Sequence, residues 1–252
     1  MKIKRIIPCL FNKNNYLIRS KNFILHQNIG NFYNQTQRLY NWDPDEIIYI
    51  NLGQNQNNKL EVFNLKTLKN ISQNCFIPFA IGGKINSIVT VRKLIKNGAD
   101  KVIINSEIYK KEKIVDQIVT EFGSQSLIAA IDYKVINQVP FLHINNGSIN
   151  AKINIFEWIK ICEKLGVGEF FLNSIDLDGV GKGFDISTIN KVLKCTELPV
   201  IACGGAGKKE DFLEAFKKTN IDALGAGNYF NFTENSYPNL KLYLKENNIP
   251  VR

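Results

Sequence analysis

Ile77-Pro-Phe-Ala-Ile-Gly-Gly83 and Leu198-Pro-Val-Ile-Ala-Cys-Gly-Gly205 present one unit twice, a short apolar run closed by a glycine pair. Each run is too short for a helix, and each leads into a stretch of helical spacing, so each reads as a buried strand feeding a helix. Further pairs recur at an offset of about 121–123 residues: Gly98-Ala-Asp-Lys-Val102 with Asn220-Ile-Asp-Ala-Leu224, and Asp45-Glu-Ile-Ile-Tyr49 with Gly168-Glu-Phe-Phe-Leu172. A long-period repeat of strand–helix units is the mark of a fold built from two like halves.

Working outward, strands are expected over 3–10, 46–52, 77–81, 101–105, 126–132, 169–174, 199–203 and 222–226. Helices are expected over 30–43, 59–73, 87–97, 110–122, 154–165, 185–194, 208–218 and 236–246, and the polar stretches 53–59 and 145–154 are read as active-face or hairpin loops. Eight strands alternating with helices in two similar halves predict an α/β fold, a single (β/α)8 TIM barrel over residues 1–252, with phosphate sites at its C-terminal face. The length of 252 residues suits that architecture.

The composition narrows the functional classes. With 44% hydrophobic and 22% charged residues, the chain reads as a soluble globular protein. Met1-Lys-Ile-Lys-Arg-Ile-Ile-Pro-Cys-Leu10 runs into polar residues with no small-residue cleavage site, so it reads as a first strand and not as an export signal. Five cysteines at wide spacing, without a C-x-x-C pair, indicate reduced thiols in the cytoplasm and no zinc site. The net charge of +9 comes mostly from scattered lysines, with Arg only 5 of 32 basic residues, and does not read as a nucleic-acid surface; no membrane insertion is expected either. His26 and His143 are read as surface or loop residues.

In such a barrel, chemistry belongs to the C-terminal strand ends. Glycine-rich turns follow three of them: Gly82 and Gly83 after strand 3, Gly204, Gly205 and Gly207 after strand 7, and Ala226 and Gly227 after strand 8. Strand-to-helix turns use glycine in any case, but three at related positions point to backbone N–H groups cradling phosphate, with two cradles for an elongated, doubly phosphorylated ligand. Asp132 closes strand 5 as a general acid or base, and Asp178 with Gly179 lies on the loop after strand 6, where aspartate serves turns as often as ligands. Arg5, Glu46, Lys101 and Glu169 each precede an apolar run, which places four charges of alternating sign at the opposite rim; spacing alone makes them a structural salt-bridge cluster.

Lys4-Arg-Ile-Ile-Pro-Cys-Leu10, Gly98-Ala-Asp-Lys-Val102, Phe122-Gly-Ser-Gln125, Ala130-Ile-Asp132, Ser174-Ile-Asp-Leu-Asp-Gly179 and Gly204-Gly-Ala-Gly-Lys208 together resemble the HisF family. Its members are cyclase subunits of imidazole glycerol phosphate synthase, and the likeness covers about 2–252. The resemblance implies a HisH-like glutaminase docked on the N-terminal face as a heterodimer. Ammonia would enter through a gate formed by Arg5, Glu46, Lys101 and Glu169 and reach a phosphorylated small-molecule substrate at the other face, with Asn105 and Ser106 helping to hold one phosphate. No metal or redox cofactor is implied.

Several positions depart from that pattern. Two aspartates act as acid and base in the family; Asp132 keeps one, while Phe11 stands at the other, and phenylalanine transfers no proton. Asn51, Val180, Arg19 and Asn173 also replace the family's usual residues. The combination is similar to the second HisF-like paralogues of the glycosyl-amidation-associated group in surface-polysaccharide (lipopolysaccharide) gene clusters, which are thought to act beside a sugar amidotransferase. Three readings follow: an ammonia-channelling synthase subunit with changed chemistry, in acetamidino-sugar formation; an authentic cyclase of histidine biosynthesis; or a non-catalytic scaffold that activates its glutaminase.

Overall fold

The computed structural model describes residues 2–14, 16–53, 77–232 and 234–252. Eight strands pair in parallel and close on themselves: β1 (Arg5–Lys13), β4 (Ile47–Asn51), β5 (Phe79–Gly82), β6 (Lys101–Ile104), β7 (Leu127–Ile136), β10 (Glu169–Ser174), β11 (Val200–Cys203) and β12 (Ala223–Ala226), with β12 returning to β1. This is the (β/α)8 barrel that the repeat implies. Short apolar strands can bury both faces only if helices cover the outside and side chains fill the inside, and closure leaves no edge.

Two excursions extend the barrel. β2 (Tyr16–Lys21) and β3 (Leu25–Asn31) form an antiparallel hairpin on the end of β1, while β8 (Val139–Ile144) and β9 (Ile149–Asn154) do the same on β7. The two excursions are related by the half-barrel repeat: β2 and β8 start 123 residues apart, as do the last residues of β3 and β9. The sequence reading missed both hairpins in part. Residues 30–31, expected to open a helix, end β3, so α1 is shorter (Phe32–Tyr40); within 145–154, read as a loop, residues 149–154 are strand.

The other helices lie near their expected places: α2 (Ile88–Lys96), α5 (Ile155–Leu165), α6 (Ile186–Leu193), α7 (Lys209–Lys218) and α9 (Ser236–Glu246), with a short α8 (Asn228–Phe232) preceding the last. The helix expected over 110–122 is two, α3 (Ser106–Lys110) and α4 (Lys113–Phe122). The helix expected over 59–73, and the loop at 53–59 beyond Gly53, lie outside the described residues. Caps fix several starts. Asn154 accepts from Glu157 N at α5, Asp185 from Thr188 N at α6, and Ser87 from Thr90 N at α2, each satisfying a donor that the first turn leaves without a partner.

Strand periodicity then sorts the side chains. On β1, Ile6 and Leu10 pack outward under the helices, whereas Ile7, Cys9 and Phe11 join Ile48, Ala80, Ile103, Ile128, Ala130, Phe171, Ile201 and Cys203 inside the barrel. At about 1.5–3 kcal/mol for each large apolar side chain removed from water, the outer layer is the larger source of stability, and the thin inner layer sets what lines the axis. Among the described residues no helix is long and apolar enough to cross a membrane.

Candidate active site

The two ends of the barrel carry different chemistry. At the N-terminal rim, Arg5 donates to Glu46 Oε2 at 2.8 Å and to Glu169 Oε1 at 2.6 Å, while Lys101 Nζ reaches Glu46 Oε1 at 3.2 Å and Glu169 Oε2 at 2.7 Å. Each cation bridges both carboxylates, so the four expected charges form a closed ring. The Glu46 and Glu169 side chains are 3% and 7% exposed, against 27% and 22% for Arg5 and Lys101. Burial pushes the Glu46 carboxyl up despite Lys101 and Arg5. For Arg5 and Lys101, burial opposes the charge, but the paired carboxylates together outweigh it and raise both.

At the C-terminal end a cavity of about 290 Å³ opens among the excursions and the loops after β5 and β6. Asp132, Phe11, Gly83, Asn105 and Ser106, all expected at the site, line it together. Lining residues outside the expected set include Asn173, noted only as a departure from the family pattern, Lys84 beside Gly83, and Phe23 and His26, from the hairpin that the sequence reading did not foresee. His26 therefore stands half-buried on a strand facing the cavity, whereas His143 is a buried residue of β8 and not the surface or loop residue expected. The signal that could have found the hairpins was the repeat itself.

Asp132 is the titratable centre of this end. It keeps part of its surface open to the cavity, but burial dominates its environment and pushes its carboxyl up to about 7, against opposing hydrogen bonds from Asn105 and Asn173. Asn105 Nδ2 donates to Asp132 Oδ2 at 2.7 Å and to the His143 carbonyl at 3.2 Å. With both amide hydrogens engaged, the Asn105 side chain offers an anion no donor. Ser106 Oγ accepts from Asn145 N at 2.9 Å and so ties β8–β9 to the mouth.

Phe11 is 8% exposed and belongs to the inner apolar layer, on the face of β1 shared with Cys9 and Ile7. A Cβ on Gly227 would stand 3.0 Å from its ring. Phe11 is thus a packed aromatic of the inner layer.

The glycine turns divide. Gly83 (φ +94°) and Gly205 (φ +105°) are equivalent: a Cβ would stand 2.0 Å from the Asn51 carbonyl oxygen in one case and 2.0 Å from that of Gly183 in the other. Only glycine fits such left-handed, close-packed backbone. Gly82 belongs to β5 itself, where Ile50 and Ile103 crowd it. Gly83 lines the cavity, whereas Gly82, Gly204, Gly205, Gly207, Ala226 and Gly227 lie outside that lining. The backbone N–H groups of Gly207 and Lys208 both donate to Asp211 Oδ2, at 2.8 and 3.0 Å, so a carboxylate of the chain takes the donors expected to face a phosphate. Asp178 is buried and accepts from Ser20 Oγ at 2.6 Å and Phe23 N at 3.2 Å, which pins the β2–β3 hairpin; Gly179 packs against the Ser20 carbonyl. Asp178 and Gly179 hold the mouth together and lie outside the cavity lining.

A family model described as "Histidine biosynthesis protein" matches residues 5–235. Over the full length of both chains, the protein is 40% identical to imidazole glycerol phosphate synthase subunit HisF of Hydrogenobaculum sp., 37% to that of Natranaerobius thermophilus and 36% to that of Flavobacterium psychrophilum. With the barrel, the charged ring and the aspartate-bearing mouth in the places described, the chain belongs to the HisF family of imidazole glycerol phosphate synthase subunits.

Proposed function

We propose that this protein is a HisF-type synthase subunit that receives ammonia from a HisH-like glutaminase at the Arg5–Glu46–Lys101–Glu169 rim and uses it at the Asp132 mouth on an acceptor other than the histidine-pathway ribotide. Acetamidino-sugar formation for a surface glycan, beside a sugar amidotransferase, is the role this reading favours. The observation that carries it is Phe11. Cyclisation with loss of a leaving group needs proton transfer on two sides, and losing one partner typically costs about 10²–10⁴ in rate. Here the second position is a packed aromatic, while the ion-pair ring at the opposite end of the barrel is complete.

In this reading Asp132 gives or takes the proton. Its pKa of about 7 suits either role near neutrality, and Gly83, Lys84 and Ser106 at the cavity mouth supply backbone and side-chain donors for one phosphoryl group. The second cradle would rest on Gly205, Ala226 and Gly227. An authentic cyclase of histidine biosynthesis is the second reading, favoured by the 40% identity over the whole chain to a HisF subunit.

The test uses the purified protein with the phosphoribulosyl carboxamide ribotide and excess ammonium at alkaline pH, with Phe11→Asp beside it. Absence of turnover in the wild type, with activity gained in Phe11→Asp, is expected. Efficient wild-type turnover would make the protein a histidine enzyme. Stimulated glutamine hydrolysis by the partner, with product formation indifferent to Asp132→Asn, would instead leave a glutaminase-activating scaffold.

A further inference from the structure

β1 and β7 lie diametrically opposite in the barrel, four strands apart in the closed order of eight whichever way it is counted. Asp132 belongs to β7, and the β2–β3 hairpin grows from the end of β1, so His26 on β3 reaches the cavity from the side that faces Asp132. Phe11, the β1 residue on the same lining, has no proton to exchange. The other ionisable groups there are Lys84, Glu107 and Lys110, and the last two pair with each other within α3 at 3.6 Å. His26 is the imidazole of that lining, and an imidazole changes charge close to neutrality.

The surroundings of His26 select one state of its ring. Lys13 Nζ, at the end of β1, stands 3.4 Å from His26 Nδ1. An ammonium group only donates, so Nδ1 is the acceptor and the ring is the neutral one with its proton on Nε2. Burial first, and the Lys13 charge second, hold the imidazole below its ordinary value of 6.5, against the opposing charge of Asp178. Ser20, its cross-strand partner on β2, spends its hydroxyl on Asp178. Among the described residues Lys13 is the ring's only hydrogen-bond partner, which leaves Nε2–H unspent.

We propose that His26 presents Nε2–H to the cavity as a neutral hydrogen-bond donor to a carbonyl or hydroxyl oxygen of the bound acceptor, and so is the functional group facing Asp132 across the mouth. Lys13 lies outside the cavity lining while His26 lies on it, so the ring turns Nδ1 outward and Nε2 inward. A neutral donor polarises such an oxygen without the desolvation that a charged one would need, and leaves proton transfer to Asp132. That the oxygen belongs to an acceptor of ammonia rests on the proposed function; the state and direction of the ring do not.

The test uses the whole protein, without glutaminase or ammonia, and ribulose 5-phosphate, an open-chain keto sugar phosphate, as the probe. With only two histidines in the chain, ¹⁵N–¹H NMR assigns the imidazoles by comparison with His26→Gln. At pH 7 His26 should show a protonated Nε2 and a bare Nδ1, with a midpoint below 6.5 that Lys13→Met moves up. The probe should shift the Nε2 signal saturably. By calorimetry, His26→Phe should weaken probe binding about three- to tenfold, the worth of one hydrogen bond, and His26→Gln should recover most of it. The infrared carbonyl stretch of the bound probe, lowered by the wild type, should return to its free value with His26→Phe. If that variant does not fold, the wild-type imidazole signals decide the matter. A proton on Nδ1, or an Nε2 signal unmoved by the probe up to its solubility limit, would overturn the proposal. Failure of ammonia-dependent synthesis while Nε2 still answers to the probe would count against the proposed function alone.

Discussion

Asn105 donates its amide to Asp132 Oδ2 at 2.7 Å, and in doing so it fixes a carboxyl that burial has already moved up to about 7. The hydrogen bond favours the charged form and the surroundings favour the neutral one. Burial dominates, so the group is poised near neutrality, and the protein carries a destabilising carboxylate above that pH.

The sign of the resulting pH dependence follows from linkage. An unfolded aspartate titrates near 3.8, so between that value and about 7 the folded state binds the extra proton and stability falls as pH rises. Asp132→Asn should match the wild type near pH 4 and exceed it by about 2 kcal/mol above pH 7, the cavity water reducing the full effect. Urea unfolding across that pH range checks it; a variant no more stable at high pH would show that Asp132 is an ordinary carboxylate.

Lys101→Met should be among the most damaging substitutions at the N-terminal rim. It leaves Glu46 and Glu169, almost fully buried, sharing Arg5 alone. Loss of one partner from a buried ion-pair group costs about 3–5 kcal/mol, and thermal unfolding should reveal a corresponding fall in Tm. A fall of under about 1 kcal/mol would mean the ring is solvated as a surface salt bridge is.

Gly83→Ala is expected to deform the mouth. Its φ of +94° and a Cβ 2.0 Å from the Asn51 carbonyl oxygen force the backbone to move. A cost above about 2 kcal/mol is expected, with loss of anion binding at the cavity. Calorimetric titration with inorganic phosphate, together with chemical denaturation, separates the two effects.

Asp211→Ala tests why the loop after β11 presents so few donors. Removing the carboxylate that accepts from Gly207 and Lys208 should destabilise by about 1–2 kcal/mol, as loss of a helix N-terminal cap does. It should also strengthen phosphate binding on that side of the mouth. Unchanged stability and binding would assign those N–H groups to solvent.

Phe11→Asp, the variant that tests the proposed function, should lower stability by about 2–4 kcal/mol, because it replaces a ring packed at 8% exposure with a charge among Cys9, Ile50 and Gly227. Denaturation curves run beside the activity assay measure that cost.

The sequence by itself determined the barrel, the charged rim and Asp132, because these depend on local pattern: short apolar runs between helical stretches, charges immediately before them, and strand ends read from glycine. Alternation along β1, β6 and β10 also carries Arg5, Lys101 and Glu169 to the same inner face as Phe11, Asn105 and Asn173. Only the tertiary structure decided that the β2–β3 and β8–β9 hairpins wall the mouth, that Asp178 anchors the first of them, that Asp211 takes the glycine-loop donors, and that Asn105 spends both amide hydrogens on Asp132 and the His143 carbonyl. Those facts depend on which atoms meet across strands far apart in the chain. A residue's type states how many donors and acceptors it brings, but closure of the barrel settles which of them already have partners and which remain for a ligand.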